Sequence, residues 1–152
     1  MGVESVRRDL EEKNFDGSII ELTQSTATVE KAASALGVEA RVIAKTLAFS
    51  LKDRSILVVT RGDARIDNKK MKDTFQKRAR MLQPDEIAES TGHPVGGVCP
   101  FGLKNPLDIY LDESLRAFDY IYSGAGAPNA MARMTPGELQ RVTGGTWVDV
   151  CQ

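Results

Sequence analysis

The spacing of apolar positions changes several times along this chain. Val3, Val6 and Leu10 fall on one face of an opening helix. "GSIIEL" then reads as a short strand. In "TVEKAASALG", Val29, Ala32, Ala33 and Leu36 sit at i, i+3, i+4 and i+7, which predicts a helix. Thr28 is placed to cap its start, and Gly37 to end it in a left-handed conformation. "EARVIAKTLAFS" starts helical and turns strand-like. The β-branched run "SILVVT" predicts a buried strand. A basic helix follows, over about Asp67 to Lys77.

Two segments then echo each other. "PDEIAESTG" and "PGELQRVTG" share Pro, Glu, an aliphatic residue, Thr and Gly at equal spacing. Each reads as a short helix with Pro at its first position, Glu at its third and Gly just past its end. Each follows a strand-like piece, "RARML" and "AMARM". "LDIYLD", "DYIYSG" and "TWVDV" complete the strands. Short helices alternating irregularly with about seven short strands predict an α+β fold with a mixed, curved sheet. No linker or low-complexity stretch divides residues 1–152, so one domain is expected.

Composition narrows the class. The chain has 152 residues, 41% apolar and 27% charged, an ordinary globular balance. No run of eighteen apolar residues suggests a membrane span. The start, "MGVESVRRDLEEKN", is charged and unlike a signal peptide, and Val6 stands where a myristoylation motif needs Ser or Thr. Cys99 and Cys151 form no disulfide framework, and a single histidine argues against a zinc site. Neither metal nor cofactor is expected, and a reducing, cytoplasmic setting fits.

Charge is balanced overall but unevenly distributed. Arg61 to Arg80 carries eight Lys and Arg against three Asp and Glu, whereas Met81 to Gln152 carries four against nine. The basic segment, with Lys69, Lys70 and Lys72, could face phosphates. Taken alone, the commoner reading of such a run is a solvated helix face, since Lys69, Asp73 and Lys77 are spaced for i,i+4 pairing.

No nucleophile elbow, Walker loop or HExxH is present. His93, between Gly92 and Pro94, reads as a turn residue. The sequence neighbours of Cys99 offer neither a base nor a means of lowering its pKa, and it reads as a small buried cysteine. Glycine is the clearer signal. "HPVGGVCPFGLKNP" holds four glycines or prolines within Gly96 to Gly102, and Gly124-Ala125-Gly126 follows later. Such backbone can approach a ligand closely and present amides to it, with Pro100 and Pro128 as stiffeners. Two tight turns between strands are the alternative. Lys45, in "VIAKTLAF", either snorkels to the surface or points into a cleft.

Taken together, "TVEKAASALGVEARVIAKTLAF", "RGDARIDNKKM", "ARMLQPDEIAESTGHPVGGVCPFGL", "LDIYLDESL" and "MTPGELQRVTGGTWVDV" resemble the YbaK-type domains. These are similar to the editing domain inserted in bacterial prolyl-tRNA synthetases. The resemblance runs from about Ser25 to Val150, in the family's order. It implies a mixed, barrel-like sheet with flanking helices. It also implies hydrolysis of the ester joining a wrong amino acid to tRNA.

The AKTL lysine of the family matches Lys45, followed by Thr46. The G-x-x-x-P loop matches Gly96, Gly97, Val98, Cys99 and Pro100, with Phe101 next. The later small-residue loop matches Ser123, Gly124, Ala125 and Gly126. On this resemblance Lys45 holds the terminal phosphate or ribose, and Gly97 and neighbouring amides face the scissile carbonyl. Val98, Cys99 and Phe101 fix the pocket or its floor. Some relatives carry a histidine in or after the later loop; here Asn129 lies in that region, so histidine-assisted chemistry is not expected. The implied partners are a mischarged tRNA, that for proline above all, and an aminoacyl-tRNA synthetase, with neither membrane nor DNA. The rival readings are a non-catalytic module that binds tRNA or a synthetase, and a small-molecule esterase, which the missing nucleophile disfavours.

Overall fold

The computed structural model describes residues 2–94 and 96–152. Among these residues, five helices flank one mixed sheet of eight strands. Helix α1 (Val3–Glu12) leads to β1 (Ile19–Glu21) and α2 (Val29–Leu36). A 3-10 turn at Ala40–Val42 feeds β2 (Ile43–Ser50), which returns as β3 (Ser55–Arg61). Helix α3 (Asn68–Phe75), β4 (Arg80–Met81), α4 (Pro84–Thr91) and β5 (Asp108–Asp112) follow. A 3-10 turn at Glu113–Ala117 leads to β6 (Ile121–Gly124), β7 (Ala130–Met134), α5 (Pro136–Thr143) and β8 (Thr146–Val148).

The helix ends follow from their local chemistry. The Thr28 hydroxyl accepts from the Lys31 amide at 3.1 Å, and Gly37 sits at φ 69°. In the echoing pair, Glu86 accepts from the Gln83 amide and Glu138 from the Thr135 amide. Gly92 and Gly144 close both helices in the left-handed region.

The strand order is β1-β7-β6-β2-β3-β5-β8, with β4 pairing β2 beside this path. β2 runs parallel to β6, and β3, β5 and β8 run parallel in turn; the other pairs are antiparallel. β1 and β8 are the two ends and do not pair. The expected barrel-like sheet is therefore open, and its strands number eight where about seven were expected.

β3 lies at the centre. Ile56 to Val59 are wholly buried because both faces of the strand are covered. Ile56 and Val58 pack with Met71 of α3, and Val59 packs with Phe101, Leu111 and Leu139 on the other side. That double cover explains the unbroken apolar run. Val6 and Leu10 of α1 join the second of these clusters, and α2 packs Ala32 and Ala33 against Ile43 and Met131. Among the described residues no helix is long and apolar enough to cross a membrane.

Candidate functional site

The site lies where the sheet splits. β2 pairs with β6 only over Ile43–Ala44 and with β4 only over Phe49–Ser50. Between these, along Lys45 to Leu47, no described strand lies on that edge, and burial drops over the same three residues. A cavity of about 320 Å³ opens there. β2 gives it Ile43, Ala44, Lys45 and Thr46, and α2 with its lead-in closes one wall through Thr26, Ala27, Val29 and Ala32. Gly96, Val98 and Gly124 complete it from the two small-residue loops. The volume is at the lower end for small-ligand sites.

Lys45 is held at the cavity edge. Its Nζ donates to the Ala64 carbonyl at 2.6 Å and the Gly62 carbonyl at 3.3 Å. These acceptors are neutral, and among the described residues no carboxylate pairs with it, so its positive charge stays uncompensated beside the cavity. Gly62 makes this arrangement possible. A Cβ there would lie 2.2 Å from the Ala40 carbonyl oxygen and 2.9 Å from that of Ile43. Only a glycine brings the turn after β3 close enough for its carbonyl to reach Lys45. The sequence contained this signal in "RGDARIDNKKM", but nothing local pointed to the lysine as its partner.

The predicted site residues separate into two groups. Lys45, Thr46, Gly96, Val98 and Gly124 line the cavity. Gly97, Cys99, Pro100, Phe101, Ser123 and Ala125 are buried behind it, and Gly126 packs against Gly2 and Val3. Gly97 differs most from expectation. Its N–H donates to the Pro94 carbonyl at 2.9 Å, so in this conformation that amide is not available to a substrate. A Cβ on Gly97 would lie 2.8 Å from the backbone of Ala127 and 2.9 Å from that of Gly126. This glycine permits backbone-to-backbone packing of the two loops. The left-handed φ falls instead on its neighbour Gly96, at 84°.

Cys99 and His93 lie together beneath the loop. Cys99 is fully buried, and burial pushes its thiol up to about 12, which leaves no thiolate for attack. His93 is only 1% exposed, whereas its sequence neighbours suggested a simple turn. Its Nε2 lies 2.6 Å from the Phe101 carbonyl oxygen. A carbonyl can only accept, so Nε2 carries the proton. Burial holds this imidazole below its ordinary value, opposed by the hydrogen bond to Phe101.

Thr26 was not anticipated. It is 93% buried in the cavity wall, and its hydroxyl has no hydrogen-bond partner among the described residues. A buried unsatisfied hydroxyl is costly and is a natural contact for a polar ligand. The only sequence signal was the polar run "TQSTAT", which also holds the Thr28 cap.

The basic helix also divides. Lys70 bonds to Asp149 at 3.0 Å and to the Cys151 carbonyl at 2.8 Å, and this pairing raises its pKa. Lys69 meets Asp73 at 3.5 Å, as its spacing predicts, while Lys77 turns to Asp53. Lys69 and Lys72 flank a groove of about 660 Å³ together with Arg78 and Met71. Arg78, to which the sequence pattern gave no role, belongs with this pair.

Comparison with known proteins agrees with this architecture. Residues 23–142 match the family model described as "Aminoacyl-tRNA editing domain". The chain is 44% identical to an uncharacterized Bacillus subtilis protein, YwhH, over all of this chain and 98% of that one. A stretch of 104 residues is 32% identical to a proline–tRNA ligase of Bacillus licheniformis, covering 68% of this chain and 18% of the ligase. Among solved structures, one described as "a putative trans-editing enzyme for prolyl tRNA synthetase" superposes with a TM-score of 0.91 at 34% identity. That match covers 99% of this chain and 96% of the other. Motifs, fold and family model converge, and the chain belongs to the aminoacyl-tRNA editing domain family.

Proposed function

We propose that this protein is an aminoacyl-tRNA deacylase acting in trans on a mischarged tRNA, that for proline. The observation that carries this reading is the cavity at the split in the sheet, with the uncompensated Lys45 ammonium at its edge. The likeness to prolyl-tRNA ligases and to a structure described for their trans-editing points to the tRNA.

An aminoacyl ester is already activated, so hydrolysis needs a positioned water and donors for the developing oxyanion more than a nucleophile. Lys45 acts as a compact point charge toward the terminal phosphate or ribose. The carbonyls of Gly62 and Ala64 hold it in place before substrate arrives. The aminoacyl group enters between the α2 wall and the backbone of Gly96 and Val98. The Thr26 hydroxyl gives it a polar contact. Lys72 and Arg78 contact phosphates farther along the tRNA, and Lys69 joins them once its exposed pair with Asp73 opens.

The test is single-turnover deacylation over a panel of correctly and wrongly charged tRNAs. Release of a wrong amino acid from tRNA for proline, with prolyl-tRNA spared, supports the proposal. Binding of tRNA with no release from any member of the panel would favour a non-catalytic binding module.

A further inference from the structure

Phe101 and Gly102 share one peptide group, and that group is held on both sides. Its carbonyl accepts from His93 Nε2 at 2.6 Å, with the Cys99 thiol farther off at 3.7 Å. Its N–H donates to Asp9 Oδ2, on α1, at 2.8 Å. His93 is itself anchored to the end of α4, its amide donating to the Thr91 hydroxyl at 3.1 Å. Backbone of α1 presses on the same point: a Cβ on Gly102 would lie 2.5 Å from the Ser5 carbonyl carbon.

We propose that Asp9 and His93 are positioning residues for the glycine loop, which fix the Phe101–Gly102 peptide and thereby hold Gly96 and Val98 at the cavity. This rests on reading the cavity as the deacylation site. A peptide that precedes glycine is the easiest in a loop to invert, because glycine accepts both signs of φ at little cost. Gly102 stands at φ 58°. Inversion would turn the carbonyl toward the Asp9 carboxylate and the N–H toward the protonated His93 Nε2. The Asp9 bond would become a repulsion, and the His93 bond would be lost unless the ring moved its proton to Nδ1, which is buried with no partner among the described residues to receive it, so the two residues exclude the inverted loop more strongly than either alone. Phe101 and Cys99, buried in the main core, complete the support from behind. Asp9 lies outside residues 23–142, so α1 adds this support to the matched domain.

Four variants test the pair. His93→Leu removes the bond to Phe101, and Asp9→Ala removes the bond to Gly102 together with the ion pair that Asp9 makes with Lys13. Asp9→Asn keeps an acceptor, and His93→Gln keeps a donor near the Nε2 position. In single-turnover deacylation, Asp9→Ala and His93→Leu lower the maximal rate about ten- to a hundredfold, the cost of slight misplacement of a reacting group. The enzyme concentration giving half-maximal rate changes much less, and the Asn and Gln variants recover most of the rate. Equal loss in all four variants, or loss confined to half-saturation, overturns the proposal.

Two spectroscopic readouts stand apart from activity and decide the case even if the unaltered protein deacylates none of the panel. Nitrogen NMR of the single histidine shows the Nε2–H tautomer, and the Gly97 amide, which sits between Gly96 and Val98 and donates to the Pro94 carbonyl, exchanges faster in Asp9→Ala than in Asp9→Asn. A Nδ1–H tautomer, or identical exchange in the two Asp9 variants, overturns it.

Discussion

Lys45 and Lys70 look alike in the sequence, as cations placed to meet tRNA, and both donate to backbone carbonyls in the fold. Lys45 meets only the carbonyls of Gly62 and Ala64, so it is fixed in place and still carries its charge toward a cavity. Lys70 also meets Asp149, so its charge is engaged in holding the C-terminal segment against α3. A lysine held by neutral acceptors stays available to a phosphate. One held by a carboxylate must break a pair first. The same contrast separates Lys72 and Arg78, which flank an open groove, from Lys77, tied to Asp53.

The cavity side of this comparison breaks most severely at Gly97. Gly97→Val drives a side chain into the backbone of Ala127 and Gly126 and separates the loops that carry Gly96 and Gly124. Deacylation falls by about a hundredfold or more, and thermal melts show a loss of about 1–3 kcal/mol from overpacking. Normal activity together with a normal melt would show that the two loops do not depend on this packing.

Charge reversal sharpens the helix side. The triple change Lys69→Glu, Lys72→Glu and Arg78→Glu weakens tRNA binding. It also flattens the salt dependence by about 0.7–0.9 in log–log slope for each phosphate that is no longer neutralised. Lys70→Met leaves that slope unchanged, because its partner is Asp149. Binding titrations at several salt concentrations distinguish the two, and equal effects would dissolve the distinction.

His93 gives a pH dependence with a definite sign. Burial lowers its pKa, so the native state resists a proton that the unfolded chain accepts near the ordinary value of about 6.5. The stability from neutral His93 is complete above that value and declines as pH falls through the folded-state pKa. Melts across this range in the unaltered protein and in His93→Gln isolate the contribution. The chain has one histidine, so its ring resonances report the titration directly. Cys99→Ala is the mildest change. It costs about 1 kcal/mol of stability and leaves the deacylation rate near that of the unaltered protein, because the buried thiol is not ionised.

What the sequence revealed was mostly local. The caps at Thr28, Glu86 and Glu138 and the glycine stops at 37, 92 and 144 depend on residues a few positions apart, and all form as the spacing predicts. The run of β3 announced its burial on both faces. The cavity depends on pairings far apart in the chain. β2 meets β6 over two residues only, Gly97 packs against Ala127, and Lys70 finds Asp149. Family resemblance supplied the two loops and Lys45 but not which loop residues face inward, since alternate residues of one loop point to cavity and core. An open sheet and a barrel have the same strand sequences and differ only in whether β1 meets β8.

The most direct test is the single-turnover rate of Lys45→Ala beside Lys70→Ala, on whichever mischarged tRNA the unaltered protein hydrolyses fastest. If hydrolysis occurs at this cavity, Lys45→Ala folds normally and loses about ten- to a hundredfold or more, the worth of a charged hydrogen bond of roughly 1.5–3 kcal/mol. Lys70→Ala keeps nearly the full rate. Equal rates in the two variants, or an unimpaired Lys45→Ala, would be incompatible with hydrolysis at this cavity.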